Sequence, residues 1–353
     1  MGRKALLLVI LAVLTVVVAV PALALAWTWQ EYSGFPPEVD ETVTQLDVHG
    51  TKGIMICDGN EFMLSNDGGA SWAPLVGPLG QPWHLPAMGM MDPLSCARRG
   101  DRVLLGGKGF VAVYNTDTGD MTVERMTGES TPPGGGFVIT QAGTSTWGIR
   151  AVDIRKGPND NEMLAVGYDE TEDGGLEALI LETSDHGGAW TPADTGLDWP
   201  HLNGVICQRV SYAVGPDYFL AEKNPDSSAP GWSRTKYPGF ETLEITGWDG
   251  RQNTVWMARE DGSVIKRTGD GDWEVFEVNP AIERMKVAFR SQSDGIAIGN
   301  DRQGHGHAYH STDGGETWEL DTAPLTAWYT GWVEPSGNNN VKFLSMEIGR
   351  AHV

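Results

Sequence analysis

Carboxylates on predicted strands are the side chains of this 353-residue chain that could most directly do chemistry. Asp47, Asp153 and Glu244 fall on β-strands that the pattern of apolar and turn residues predicts as the first strand of a repeating unit. Hydrolysis of a glycosidic bond requires two carboxyl groups, about 5 Å or about 6.5–9.5 Å apart. Two of these side chains could converge in one site, so a glycoside hydrolase is one function that the sequence allows.

A pair of histidines could bind a metal ion. His305 and His307 alternate along the segment 304–310, and residues two apart share one face of a strand. No third ligand lies nearby in the sequence, whereas a glycine-flanked hairpin with solvated imidazoles accounts for the same pattern. We therefore predict no metal site and no cofactor, with His305 and His307 as weak metal candidates.

A turn sequence, Ser/Thr-x-Asp-x-Gly-x-x-Trp, occurs three times. The hydroxyl and the carboxylate bond N–H groups of their own turn, the glycine takes a positive φ, and the tryptophan anchors the following strand in the core. The copies contain Ser65, Asp67, Gly69 and Trp72, then Thr183, Asp185, Gly187 and Trp190, then Ser311, Asp313, Gly315 and Trp318. We interpret these carboxylates as structural, not as calcium ligands or catalytic acids.

The spacing of these turns indicates a repeat. With degenerate copies included, the register marks lie at positions 29, 72, 122, 190, 232, 273 and 318, and such intervals are typical of one four-stranded propeller blade. In the fifth unit, strands are predicted at 242–248, 253–258, 263–267 and 273–278, with Asp249-Gly250 as the first turn. We predict an all-β, seven-bladed β-propeller whose N-terminal strand, near Trp29, closes the last blade, which is truncated at the C-terminus.

The turn sequence resembles the Asp-box, or bacterial neuraminidase, repeat of β-propellers. Sialidases, some endoglucanases, sortilin-type receptors and photosystem II assembly and stability factors share it, so the resemblance specifies fold better than function. The assembly factors look most similar in size, export and single-ring layout. The resemblance implies a non-catalytic binding or assembly module, with the boxes on the face away from the functional site.

A secreted glycoside hydrolase, sialidase-like or endoglucanase-like, is the alternative. Sialidases carry a carboxylate-binding arginine triad whose first member precedes the first box. No arginine lies between Lys4 and Arg98 in this chain, so the triad would lack that member. An enzyme is therefore the less favoured interpretation.

Aromatic residues precede several predicted first strands. The links that lead from a fourth strand to the next first strand all open on one face of a propeller. Packing between blades explains such aromatic residues, and a ring of contacts around a protein or carbohydrate ligand on that face is the other interpretation. With polar partners near the mouth of the channel, the candidate binding residues are Trp83, Trp147, Arg150, Asp153, Trp199 and Trp328.

The net charge and the N-terminal segment limit which partners the protein could bind and where in the cell it could be located. The chain has 47 acidic residues against 25 Lys and Arg, a net charge of −22, which argues against nucleic acid as a partner. Residues 1–26 combine Arg3 and Lys4 with an apolar run and Ala24-Leu25-Ala26, typical of a signal peptide. Left uncleaved, this segment could anchor the chain in a membrane. We predict an exported monomer, extracellular or periplasmic.

The remaining expectations concern boundaries and cysteines. Residues 27–347 are predicted to form a single propeller domain. The last six residues, 348–353, match the translation of a widely used sequencing adapter and are interpreted as an artefact. Cys57, Cys96 and Cys207 make an odd number, and buried thiols are favoured over a disulfide.

Overall fold

The computed structural model describes most of the chain between Glu31 and His352. The described residues are 31–32, 43–49, 51–57, 61–68, 71–76, 93–124, 147–155, 161–171, 173–193, 199–226, 231–239, 241–303, 306–321, 332–336, 340–344 and 351–352. The chain divides into Met1–Gln30, which lies outside these ranges, and one compact unit, Glu31–Val353. No helix within the described ranges is long and apolar enough to cross a membrane.

The compact unit is built from antiparallel sheets of four strands, and six of these sheets, blades 1 to 6, are each contiguous in sequence. The first strand of the chain is β1 (Glu31–Tyr32). Blade 1 comprises β2 (Val43–His49), β3 (Lys52–Cys57), β4 (Glu61–Ser65) and β5 (Ala73–Pro74). Blade 2 comprises β6 (Pro93–Arg99), β7 (Arg102–Gly107), β8 (Phe110–Asn115) and β9 (Met121–Glu124). Blade 3 comprises β10 (Trp147–Ile154), β11 (Met163–Glu170), β12 (Leu176–Thr183) and β13 (Thr191–Pro192). Blade 4 comprises β14 (Gly204–Ile206), β15 (Ser211–Val214), β16 (Leu220–Lys223) and β17 (Trp232–Arg234). Blade 5 comprises β18 (Ile245–Arg251), β19 (Thr254–Arg259), β20 (Ser263–Thr268) and β21 (Glu274–Glu277). Blade 6 comprises β22 (Ile282–Phe289), β23 (Gly295–Asp301), β24 (Gly306–Ser311) and β25 (Glu319–Leu320).

A further sheet, the terminal sheet, combines residues from both ends of the compact unit. Its strands are β26 (Trp332–Ser336), β27 (Asn340–Leu344) and β28 (Ala351–His352), with β1 at the edge, in the order β1-β28-β27-β26. β1 pairs with β28, the strand that falls within the segment interpreted as adapter sequence.

The apolar core lies between neighbouring blades. Strands covered on both faces bury nearly every residue, as β8 does along its whole length. One cluster joins blades 1 and 2 through Ile54 and Val103, and another joins blades 5 and 6 through Trp256 and Phe289. Each blade is therefore held chiefly by the blades beside it, and the first strands line the middle of the ring.

The first hairpin of blade 5 differs from the sequence prediction. β18 continues to Arg251, so Asp249 and Gly250 lie within the strand and pair with Trp256 and Val255. The turn lies two residues later, at Gln252 and Asn253, which have φ values of 46° and 78°. Asparagine tolerates the left-handed conformation that a two-residue hairpin requires, and the sequence prediction overlooked it in favour of the Asp-Gly pair.

The three Asp-containing turns are held by their own carboxylates. Asp67 Oδ1 accepts hydrogen bonds from Ser71 N and Ser65 Oγ, both at 2.8 Å. Asp313 Oδ1 accepts from Glu316 N at 3.0 Å and Thr317 N at 2.9 Å, and Asp185 Oδ1 accepts from Ala189 N at 3.0 Å. Every contact is local, as a structural role requires.

The glycines and tryptophans of these turns differ from one copy to the next. Gly187 and Gly315 adopt φ values of 84° and 88°, which L side chains rarely adopt, and Gly69 lies outside the described residues. Trp72 is buried, whereas Trp190 and Trp318 are only half-buried. The last two tryptophans therefore anchor their strands less deeply than the sequence predicts.

We expect Asp67→Ala to destabilise the fold by about 1–2 kcal/mol near neutral pH, since charge-assisted hydrogen bonds are lost where water partly replaces them. Desolvation raises the pKa of Asp67, but the hydrogen bonds from Ser71, Ser65 and the turn backbone outweigh it and lower the pKa to about 2. The stabilisation is therefore complete above about pH 4 and is lost as the pH falls through about 2. The free energies of unfolding of wild type and Asp67→Ala, measured by urea denaturation, should converge over that range. A difference between them that does not depend on pH would contradict a stabilising role for the Asp67 carboxylate.

Candidate functional site: the central cavity

A cavity of about 290 Å³ lies where the first strands of the six blades meet. Each first strand follows the link from the preceding blade and ends at the hairpin to its own second strand. The cavity therefore has a link end, near the beginnings of the first strands, and a hairpin end, near the last residues of those strands. Its lining at the hairpin end includes Asp47, Arg99, Asp153 and Asp249, and its lining at the link end includes Gln45, Arg150, Asn203, Trp248 and Lys286.

Three aspartates at the hairpin end tie each odd-numbered blade to the next blade. Asp47 accepts a hydrogen bond from Arg98 N at 2.5 Å, Asp153 from Cys207 N at 2.8 Å and Asp249 from Phe289 N at 2.7 Å. The same register position in blades 2, 4 and 6 is apolar: Ala97, Ile206 and Ala288. These carboxylates therefore satisfy backbone donors that would otherwise be buried without a partner.

Arg99 lies between two of these aspartates. Its Nη1 is 2.6 Å from Asp47 Oδ2 and its Nη2 is 3.4 Å from Asp153 Oδ1. The guanidinium therefore occupies the space between the carboxylates, where a glycosidic oxygen would have to lie. Glu244, the third carboxylate considered from the sequence, is exposed and precedes β18. The arrangement does not resemble the acid and base pair of a glycosidase.

The link end of the cavity carries two positive charges. Arg150 Nη1 donates to Asn203 Oδ1 at 2.8 Å, and its guanidinium lies 5.2 Å from the centre of the Tyr168 ring. The Lys286 ammonium lies 5.5 Å from the centre of the Trp248 ring. Neither forms an ion pair among the described residues, so both charges can attract an anionic group.

Lys286 is unusual in its electrostatics. Desolvation by the surrounding protein lowers its pKa to about 8, because a charge loses solvation when it is enclosed. The enclosed ammonium therefore destabilises the fold below about pH 8, and this cost disappears as the pH rises towards the lysine value of about 10.4.

We expect Lys286→Met to be more stable than wild type near pH 7 and equal to it near pH 10. Thermal melts across this range measure the difference, with Lys52→Met as the control because Lys52 bonds the exposed side chain of Asn66. An advantage of the Met variant that persists above the lysine pKa would show that packing, not charge, is responsible.

The structure brings together two of the six candidate binding residues. Arg150 and Asp153 both line the cavity. Trp147 and Trp199 are each only 4% exposed and pack in the core, Trp199 with its ring centre 4.9 Å from that of Phe219. Their burial favours packing between blades, the other interpretation of these aromatic residues, over contact with a ligand.

The other candidates are less informative. Trp83, Trp328 and His305 lie outside the described residues. His307 Nε2 lies 3.2 Å from Asp301 Oδ2. Among the described residues, no three His, Cys, Asp or Glu side chains are grouped so that they could hold a metal ion.

Sequence reasoning missed Lys286, Trp248 and Asp249. Lys286 lies in β22 between the buried residues Met285 and Val287, and a charged residue beside buried apolar neighbours is a signal of a special environment. Asp249 was assigned to a turn, although it occupies the register position of Asp47. Aligning the units on their hairpins would have revealed it.

Comparison with known proteins rests on structure alone. No family model matches the chain, and no curated protein does. A structure of YCF48 bound to D1 peptide superposes with a TM-score of 0.57 at 16% identity, over 95% of this chain and 97% of that one. The chain is a β-propeller. YCF48 from Cyanidioschyzon merolae gives a TM-score of 0.56 at 17% identity, over 92% and 98% of the two chains.

Other propellers superpose about equally well. The extracellular domain of a putative hybrid two component system from B. thetaiotaomicron gives a TM-score of 0.55 at 12% identity, over 92% of this propeller and 40% of that chain. The WD40 repeats of RRP9 give 0.57 at 8% identity, over 90% of each chain. Identities this low establish the shared fold and nothing more specific.

Proposed function

We propose that this propeller is an exported, non-catalytic module that binds a segment of a partner protein at the link end of the central cavity. The observation that carries the proposal is the pair of positive groups, Arg150 and Lys286, in a cavity of a chain whose net charge is −22. A cation kept without an ion-pair partner in an acidic protein favours an anionic ligand.

The shape and chemistry of the cavity favour a peptide segment with a carboxylate. A cavity of about 290 Å³ accommodates a side chain or a chain end better than a whole domain. Trp248 adds an apolar surface, and Asn203 and Gln45 add amide groups that can bond a peptide backbone. The similarity to a propeller solved with a bound peptide supports the same class of ligand.

Selection from a displayed library of peptides about twelve residues long tests this proposal. We expect wild-type protein to enrich sequences with acidic side chains or a free C-terminal carboxylate, and Arg150→Gln/Lys286→Met to lose that enrichment. A screen of the same protein against sialosides and polysaccharides tests the alternative. Turnover of any of them would overturn the non-catalytic assignment and favour the glycoside hydrolase.

A carbohydrate ligand is the second candidate for the same site. Sugar recognition commonly combines an aromatic face with planar polar side chains, and Trp248 with Asn203 offers both. Because Arg150 and Lys286 form no ion pair within the described part of the chain, their positive charges favour the peptide over a neutral glycan. Enrichment of neutral oligosaccharides on a glycan array would reverse that preference.

We further propose that the terminal sheet is the seventh blade and that β1 closes the ring. The strand order β1-β28-β27-β26 places a strand from the N-terminal side on the outer edge of a sheet formed by C-terminal strands, which would remove an open edge. This closure supports a single domain and a monomer, but it uses β28 (Ala351–His352), which lies past the predicted domain end at residue 347 and within the segment interpreted as adapter sequence.

Deletion of residues 1–40 is therefore expected to expose the edge of the terminal sheet, to lower the melting temperature and to promote aggregation. Size-exclusion chromatography and thermal melts measure both effects against a protein that begins at residue 27. A fully soluble deletion variant with an unchanged melting profile would show that β1 does not close the ring.

A further inference from the structure

One position at the hairpin end of each first strand is equivalent from blade to blade, and in blades 2 and 6 its side chain packs against the preceding blade. The register of the first two strands identifies the six equivalent residues as Val48, Arg98, Ile154, Cys207, Gly250 and Phe289. We call this the wedge position. The hydrogen bonds of the three aspartates confirm the equivalence of three members. The aspartates accept them from the backbone N–H groups of Arg98, Cys207 and Phe289.

Large wedge residues fill their interfaces. Arg98 Nη1 donates to Gly53 O at 2.8 Å and to Ser65 O at 2.7 Å, and Nη2 donates to Asn66 Oδ1 at 2.9 Å. The blade 1 strand ends thus form a cradle of acceptors around a guanidinium. Phe289 instead stacks on Trp256 at 3.8 Å between ring centres.

The small wedge residue Gly250 is compensated by its neighbour. A Cβ on Gly250 would lie only 2.3 Å from Gln208 Nε2. The Gln208 side chain therefore takes the space that a wedge side chain would fill between blades 4 and 5, so a small wedge residue does not by itself leave a cavity.

Between blades 3 and 4 the wedge residue is Cys207, and a cavity of about 390 Å³ remains beside it. Its lining includes Met163, Thr183 and Ser184. Met163 pairs with Thr183 across blade 3 as Gly53 pairs with Ser65 across blade 1.

The turns that follow also correspond. His186 N donates to Asn161 O in blade 3 as Gly68 N donates to Thr51 O in blade 1. The residues equivalent to the three acceptors of Arg98 therefore line an open cavity.

We propose that this cavity binds a guanidinium group, either the side chain of an arginine in a partner protein or a small guanidinium compound. The carbonyl groups of Met163 and Thr183 would accept its N–H donors as those of Gly53 and Ser65 accept Arg98, and the Ser184 hydroxyl would replace the Asn66 amide oxygen. The planar fork of a guanidinium fits such a set of acceptors, whereas an ammonium does not.

The charged residues of the lining are already paired. Lys223 Nζ lies 2.5 Å from Glu182 Oε2, Arg155 pairs with Glu162, and Arg209 pairs with Asp226. The rim therefore adds little net charge beside the cavity, and the overall charge of −22 attracts a cation. This site is independent of the proposed function, because it lies between two blades at their hairpin ends.

The proposal is tested by measuring, with calorimetry and NMR, how the full chain binds two probes. These are methylguanidinium and the blocked peptide acetyl-Gly-Arg-Gly-amide. We expect both to bind and methylammonium and methylurea not to bind. Cys207→Ala keeps the cavity open and should retain binding, whereas Cys207→Leu fills it and should weaken binding more than tenfold. Tighter binding of the peptide would identify a protein as the source, and equal binding a small guanidinium compound.

Two results would overturn the proposal. One is equal binding of methylurea, which would show that the site does not select a guanidinium. The other is unchanged affinity in Cys207→Leu, or in Cys207→Met should the leucine variant fail to show a cooperative melt.

Discussion

Replacing Arg98 with methionine is expected to cost about 3–5 kcal/mol, because breaking a buried network that contains a charge leaves its partners unsatisfied. Arg98 is fully buried, and its guanidinium donates to Gly53 O, Ser65 O and Asn66 Oδ1. Methionine fills part of the volume but provides no donor. Urea denaturation measures the loss as a lower midpoint.

Arg102→Met is the matched control for this substitution. Arg102 begins the next strand, and its side chain is 28% exposed and 3.7 Å from the carboxylate of Asp101. An exposed ion pair contributes about 0–1 kcal/mol, so this variant should remain close to wild type. Equal losses in the two variants would mean that the contacts of Arg98 do not hold blades 1 and 2 together.

Truncation of Trp256 to alanine is expected to cost about 3–5 kcal/mol, the usual range for a buried tryptophan. Trp256 has no exposed surface, stacks on Phe289 and donates from Nε1 to Gly314 O at 2.8 Å. It therefore joins blade 5 to the Asp-containing turn of blade 6. Thermal or urea melts give the free energy of unfolding.

Trp256→Phe separates the two contributions. Phenylalanine keeps a ring against Phe289 but loses the hydrogen bond to Gly314 O, which is worth about 1 kcal/mol. We expect most of the stability to return in this variant. A phenylalanine variant as unstable as the alanine variant would assign the effect to the hydrogen bond instead of to the stacked rings.

The sequence predicted the fold class because the fold repeats a local pattern. Short apolar strands, glycine turns and the three Asp-containing turns each specify one blade element, and the β-propeller fold agrees with that expectation. The strand ends were harder. Asp249 and Gly250 looked like a turn, yet cross-strand pairing with Trp256 and Val255 extends β18 through them, and such pairing depends on residues that lie apart in sequence.

The candidate site was only partly predictable, because burial depends on neighbouring blades. Trp199 precedes β14 and Trp147 begins β10, and both are buried, since they fill space against residues from other units. Arg150 was found from its place early in β10. Lys286 was missed, because its surroundings come from strands distant in sequence.

The affinity of a selected acidic peptide for wild type and for Arg150→Gln/Lys286→Met tests the central claim most directly. Calorimetry near pH 7 should show a loss of more than tenfold in the double variant, or about 1.4 kcal/mol, with an unchanged fold by circular dichroism. Wild-type affinity should also weaken as the pH rises past about 8, where Lys286 loses its proton. Equal affinities for both proteins at every pH would contradict binding at the link end of the cavity.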